Sequence, residues 1–154
     1  MTPEGEAYLR YVALTRDAIL QELDAVGPEG LNWPLVIPET NTMYASAFHA
    51  SMSVRGWLQV RAAGQTIDRD RDTEFTARGS LDQVRDHWAD TVAVSQKVLN
   101  GFGPDDYQSP RTMVFLASGT ERPGTVRDCV IHALNHINIH LGHIQLARQL
   151  WEHR

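Results

Sequence analysis

The chain has 154 residues, 42% of them hydrophobic and 21% charged, which is the usage of one ordinary globular domain and excludes a disordered chain. Its 14 basic and 19 acidic side chains leave a net charge of −5, and the basic ones are scattered, so the stripe that a nucleic-acid binder uses to neutralise phosphates is missing. The opening MTPEGEAYLRYVALTRD has no signal-peptide pattern, no apolar run is long enough for a bilayer, and the lone Cys129 excludes an intrachain disulfide. These features predict a single soluble domain over residues 1–154, without a membrane partner, in a reducing cytoplasm.

Thr2-Pro3-Glu4 opens a first helix with a hydroxyl cap, proline at the first helical position and an acid near the positive dipole end. Tyr8, Tyr11, Val12, Thr15, Ala18, Ile19, Leu23 and Val26 recur at helical steps until Gly27-Pro28 stops them. The stretch from Gly30 to Glu39, with Pro34 and Pro38, is expected to be non-helical. A second helix is predicted from about Asn41 to about Ala63, ended by Gly64. The polar GQTIDRDRDTEFTARG that follows is predicted to be a surface connection.

Ser80 and Gln83 form a capping box at the start of a third helix, whose buried steps are Leu81, Val84, Trp88, Thr91, Ser95 and Val98. Gly101 and Gly103-Pro104 end it. The connection from Gly101 to Gly124 is long enough to hold a short packed element around Met113-Val114-Phe115-Leu116. Thr125 and Asp128 then cap a last helix running to about Trp151. Four long helices without a clear alternating strand predict an all-α, up-down four-helix bundle with long connections.

Histidine is the unusual component: seven are present, four of them between His132 and His143. With about 100° of turn per residue, His132, His140 and His143 fall within roughly 40° of His136, on the stripe that also carries Cys129, Ala147 and Leu150. An amphipathic helix buries such a stripe, and burying several imidazoles without partners is costly. His136 and His140 are one turn apart, so their rings can converge on one ion, as i, i+4 pairs do in helical zinc sites. His49 on the second helix offers a third ligand, and Ser46, Ser53, Gly56 and Val60 on its face leave room for a bound molecule. His87 is expected to flank the core, His153 to be solvated, and Cys129 to be a small core residue. Ile137 follows His136 directly, so the general base of a zinc peptidase HExxH motif is missing.

The early His49, the GLNWPL stretch before it and the HINIHLGHIQLARQL of the last helix together resemble the DinB/YfiT-like superfamily of metal-binding four-helix bundles. The likeness runs along nearly the whole chain. It implies His49, His136 and His140 as ligands of one divalent metal, zinc or nickel, with His132 and His143 lining or supporting the site beside Ser53 and Gly56. Relatives of known activity are transferases and an isomerase that use low-molecular-weight thiols such as bacillithiol or mycothiol. The implied function is metal-dependent thiol S-transfer onto an electrophilic small molecule, three imidazoles leaving a metal position open for the thiol. The alternatives are a metal-binding stress protein without turnover and a metal-dependent hydrolase. Arg55, Asn135 and the Asp or Arg residues of the 68–78 loop are candidates for a supporting polar shell.

Two helices carry second apolar faces: Ile131, Leu134 and Leu141 on the last, and Tyr44, Ala47, Val54 and Leu58 opposite His49. Large exposed apolar patches mark interaction sites, so these faces predict a homodimer, with the 101–124 connection able to cover only one of them.

Overall fold

The capping signals become helix starts in the computed structural model, which describes residues 1–35 and 40–154. Helix α1 spans Pro3–Leu31, and Thr2 Oγ1 accepts a hydrogen bond from the Gly5 amide at 3.0 Å. The helix breaks at Gly27, whose φ of 63° is open to glycine at little cost, but one more turn follows. Pro28 is suited to the first position of that turn, so Gly30 and Leu31 are helical where the prolines led us to expect none. Pro38 and Glu39, from the same stretch, lie outside the described residues.

Helix α2 covers Met43–Arg55, capped by Thr42, and continues as a π-helix over Gly56–Ala62. The predicted bounds hold to within two residues, but the winding changes: the Ala63 amide bonds the Leu58 carbonyl at 3.0 Å, five residues back. π-Turns occur mostly at functional sites. The connection after it contains a one-turn helix, α3 (Arg71–Glu74), and Glu74 is only 1% exposed. This segment is therefore more than the surface connection expected. Helix α4 (Leu81–Asn100) has the predicted Ser80–Gln83 capping box and buries Val84, Trp88, Thr91, Ser95 and Val98, with Leu81 half-buried at its start.

A 3-10 turn at Asp105–Gln108 buries Tyr107, and an antiparallel hairpin follows, β1 (Pro110–Phe115) paired with β2 (Thr120–Thr125). A short packed element was expected around Met113–Leu116, but no strand, and Pro123 stands in the second one. In a two-stranded ribbon both strands are edges, so a residue without an N–H is tolerated. Helix α5 (Val126–Glu152) starts from the predicted Thr125–Asp128 box.

The chain is mostly helical, and its four long helices pack around one core: α1 and α2 each contact both α4 and α5. Val12, Ile19, Leu23, Leu58, Trp88, Leu99, Ile137 and Ile144 fill that core. A second cluster of Trp57, Tyr107, Val126, Cys129 and Ala133 lies beneath the hairpin. Two ion pairs tie α1 to α5, Arg127 to Glu4 with two bonds, the shorter 2.6 Å, and Arg148 to Glu22 with one bond of 2.5 Å. Among the described residues, no helix is long and apolar enough to cross a membrane.

The faces assigned to a dimer partner are largely covered from within. Tyr44, Ala47, Val54 and Leu58 are all buried, because neighbours enclose α2 everywhere but along the half-buried stripe of Phe48, Met52 and Arg55. Leu134 and Leu141 pack partly against the main core, and the hairpin covers the π-helix instead. Ile131 remains 49% exposed.

Candidate metal centre

Helix α2 delivers His49, 4% exposed, and helix α5 delivers the half-buried His136 and, one turn on, His140 at 8%. The three Nε2 atoms converge. His136 Nε2 lies 3.3 Å from His49 Nε2 and 3.1 Å from His140 Nε2. Two nitrogens each ~2.0–2.1 Å from a tetrahedral zinc stand ~3.3 Å apart, so this spacing fits three ligands of one ion.

Hydrogen bonding alone leaves the cluster incomplete. The Glu74 carboxylate stands 2.7 Å from His49 Nδ1 and takes that ring's hydrogen, which turns the lone pair of His49 Nε2 toward His136. A single hydrogen on His136 Nε2 can serve only one of its two imidazole neighbours. His140 Nε2 faces the same His136 nitrogen, so the three converging atoms cannot all be satisfied by each other. A cation at the centre would accept all three lone pairs at once, so the residues present fit a bound metal.

Electrostatics favour the same state. Burial, and then the neighbouring His49, push the His136 pKa down to about 4, and burial, and then His136, push that of His140 down to about 3. Both rings are neutral at neutral pH, as metal ligands must be. Arg69 grips Glu74 with two bonds, Nε at 2.6 Å and Nη2 at 2.8 Å. Burial by itself would raise the Glu74 pKa, but the hydrogen bonds from Arg69 and His49 outweigh it and hold the carboxyl below its ordinary range. An Arg69–Glu74–His49 chain thus orients the α2 imidazole, the carboxylate–histidine arrangement common behind metal ligands.

Beside the imidazoles opens a cavity of about 400 Å³ that reaches His49, His136 and His132, with Ser53 and Gly56 in its wall. His132 packs on Trp57, ring centres 4.1 Å apart, and against Phe115, while burial lowers its pKa. His143 is exposed and outside the cavity, its ring 5.6 Å from that of His140. The buried stripe of α5 runs through Cys129, Ala133, Ile137, His140, Ile144 and Ala147, so His132 and His136 lie at its border. The four histidines do not share one buried face, because that stripe is offset toward the core side of α5.

Cys129 is buried in apolar surroundings that push its thiol up to about 11, which leaves it inert. His87 stacks on Phe48 at 4.5 Å, away from the cluster, and His153 is exposed at the end of α5. Arg55 bonds Asp90 and Gln59, and Asn135 is exposed, so neither supports the site. Arg69 and Arg71, from the 68–78 segment, do reach the cavity wall. The sequence did not single out Glu74. Its one signal was Phe75, an aromatic in a polar loop, whose ring packs 4.6 Å from that of His49.

No curated protein matches this chain. The profile of the DinB superfamily matches residues 11–144, and with its helices and histidines placed as above, the chain belongs to the DinB superfamily.

Proposed function

We propose that the chain is a metal-dependent enzyme that transfers a low-molecular-weight thiol onto an electrophilic small molecule. The observation that carries this reading is the convergence of three Nε2 atoms at the border of a cavity large enough for a small molecule. His49, His136 and His140 would hold one divalent ion, zinc or nickel. With three protein ligands, the ion would keep a position at which an incoming thiol becomes a thiolate near neutral pH.

The chain's own residues do the rest. Glu74 fixes the His49 ring, and Trp57, Val60, Phe115 and Leu116 present apolar surface that excludes water from the nucleophile. Among the described residues no carboxylate lines the cavity, which disfavours hydrolysis driven by a carboxylate base. A metal-binding protein without turnover is the remaining alternative. The test is thiol consumption by metal-loaded protein against a panel of electrophiles. Turnover that disappears in His136→Ala supports transfer, and full metal occupancy with no thiol consumed supports the alternative.

A homodimer belongs to the same proposal, in revised form. The exposed large hydrophobics Ile131, Ile139 and Leu146 on α5 and Tyr11 and Leu14 on α1 supply its surface, because the back of α2 is not free. The single, buried cysteine accords with a cytoplasmic setting.

A further inference from the structure

The cavity beside the imidazoles is lined by arginines and by apolar side chains. In the sequence Asp68-Arg69-Asp70-Arg71-Asp72 the charges alternate, and the structure separates them by sign. The three aspartates are exposed, whereas Arg69 and Arg71 line the cavity, joined by Arg61 from the π-helix. Among the described residues no acidic side chain lines it.

The three arginines are not equivalent. Arg69 is committed to Glu74 by two hydrogen bonds. Arg71 lies over the Phe75 ring, 4.8 Å from its centre, which uses the guanidinium face and leaves the in-plane donors open. The side chains of Arg61 and Arg71 make no hydrogen bond among the described residues. What sets Arg61 and Arg71 apart is their place, since both line the cavity while the ion-paired Arg16, Arg55, Arg85, Arg127 and Arg148 do not. Two open guanidiniums facing a cavity wall without acids form a receptor for a planar anion, and the fork of an arginine matches a carboxylate.

We propose that this cavity binds a small amphipathic carboxylate, its acid group held by Arg61 and Arg71 and its apolar part against Trp57 and Phe115. The same cavity reaches His49 and His136, so such a molecule would lie beside the proposed metal centre. The inference rests on the metal-centre reading for that proximity alone, since the arginines would select an anion with or without the ion.

The test uses the full chain, as purified and after chelator treatment, with 3-phenylpropionate and its neutral amide as probes. Calorimetry measures binding, and elemental analysis of the same samples measures metal. Charge-assisted hydrogen bonds predict that the acid binds about tenfold more tightly than the amide, in both samples. Arg61→Gln with Arg71→Gln should erase that preference at unchanged metal content, and Arg61→Lys with Arg71→Lys should restore part of it. A thermal melt of each variant checks that it is folded. Equal binding of acid and amide, or no binding of either at millimolar concentration, overturns the proposal. So does an acid preference confined to the metal-loaded sample and indifferent to the arginines, which would make the ion the anion site and leave the metal reading intact. An arginine-dependent preference in protein that holds no metal under any condition would instead sustain this proposal and sink the metal reading.

Discussion

At the residue scale, the most informative contact is between His49 and Glu74. A buried carboxylate accepting the Nδ1 hydrogen makes the opposite nitrogen a better donor to a cation and fixes the ring's orientation. Glu74→Gln is expected to weaken metal affinity about 10–100-fold without changing the one-ion stoichiometry at saturation, as second partners of metal ligands usually do. Competition against a chromophoric chelator measures this, and an unchanged affinity would remove Glu74 from the site. The pH response follows from His136 and His140. Their native pKa values, about 4 and about 3, lie below the ordinary value of 6.5, so under acid the unfolded chain takes up protons first. Metal-free protein should therefore be fully stabilised by these rings above pH ~6.5 and lose that stability as pH falls toward their native values. Melting temperatures between pH 7 and pH 5 test the sign. Metal-loaded protein should melt higher at pH 7 and lose that margin in acid, because protons compete for the same nitrogens.

At the element scale, the π-helix and the connection behind it build the cavity together. Gly56 opens the π-helix, and a Cβ there would stand 2.5 Å from Arg69 Nη1. That guanidinium is pinned by two bonds to Glu74, so it cannot swing away without releasing the acid behind His49. Gly56→Ala is thus expected to lower metal affinity by more than it lowers thermal stability, since glycine to alanine favours a helix by about 1 kcal/mol where space allows. A variant that binds metal as tightly as the parent would show that Arg69 relaxes freely. The capping boxes of α4 and α5 were legible because their parts lie three residues apart. The hairpin was not, since its pairing joins residues up to 15 positions apart and Pro123 masks the second strand.

At the scale of the whole molecule, the surface of α5 stands out. Between Asp128 and Arg148 the helix carries no charged side chain, although Ile131, Ile139 and Leu146 are about half exposed. Exposed faces of monomers are usually charged, so this one is expected to meet a second copy of the chain. Sedimentation at micromolar concentration should give a dimer mass, shifted to monomer by Ile139→Glu with Leu146→Glu. A monomer mass in the parent protein would end the proposal. Leu58→Glu is no test of association, because Leu58 is fully buried in the core and the charge would unfold the chain.

The sequence by itself determined what helical geometry fixes locally. It set the helix starts at Thr2, Ser80 and Thr125, the break at Gly27, and the convergence of His136 with His140, whose four-residue spacing needs no tertiary contact to place them on one face. It also marked His49 as the third imidazole, through its setting and the family resemblance. Only the tertiary structure decided what surrounds them. Glu74 reaches His49 across 25 positions, and His136 meets His49 across 87, distances in sequence over which spacing carries no directional information. The inward turn of Arg69 and Arg71, the outward turn of their neighbouring aspartates and the burial of the back of α2 depend on how packed helices enclose one another, and periodicity within a single helix does not encode that.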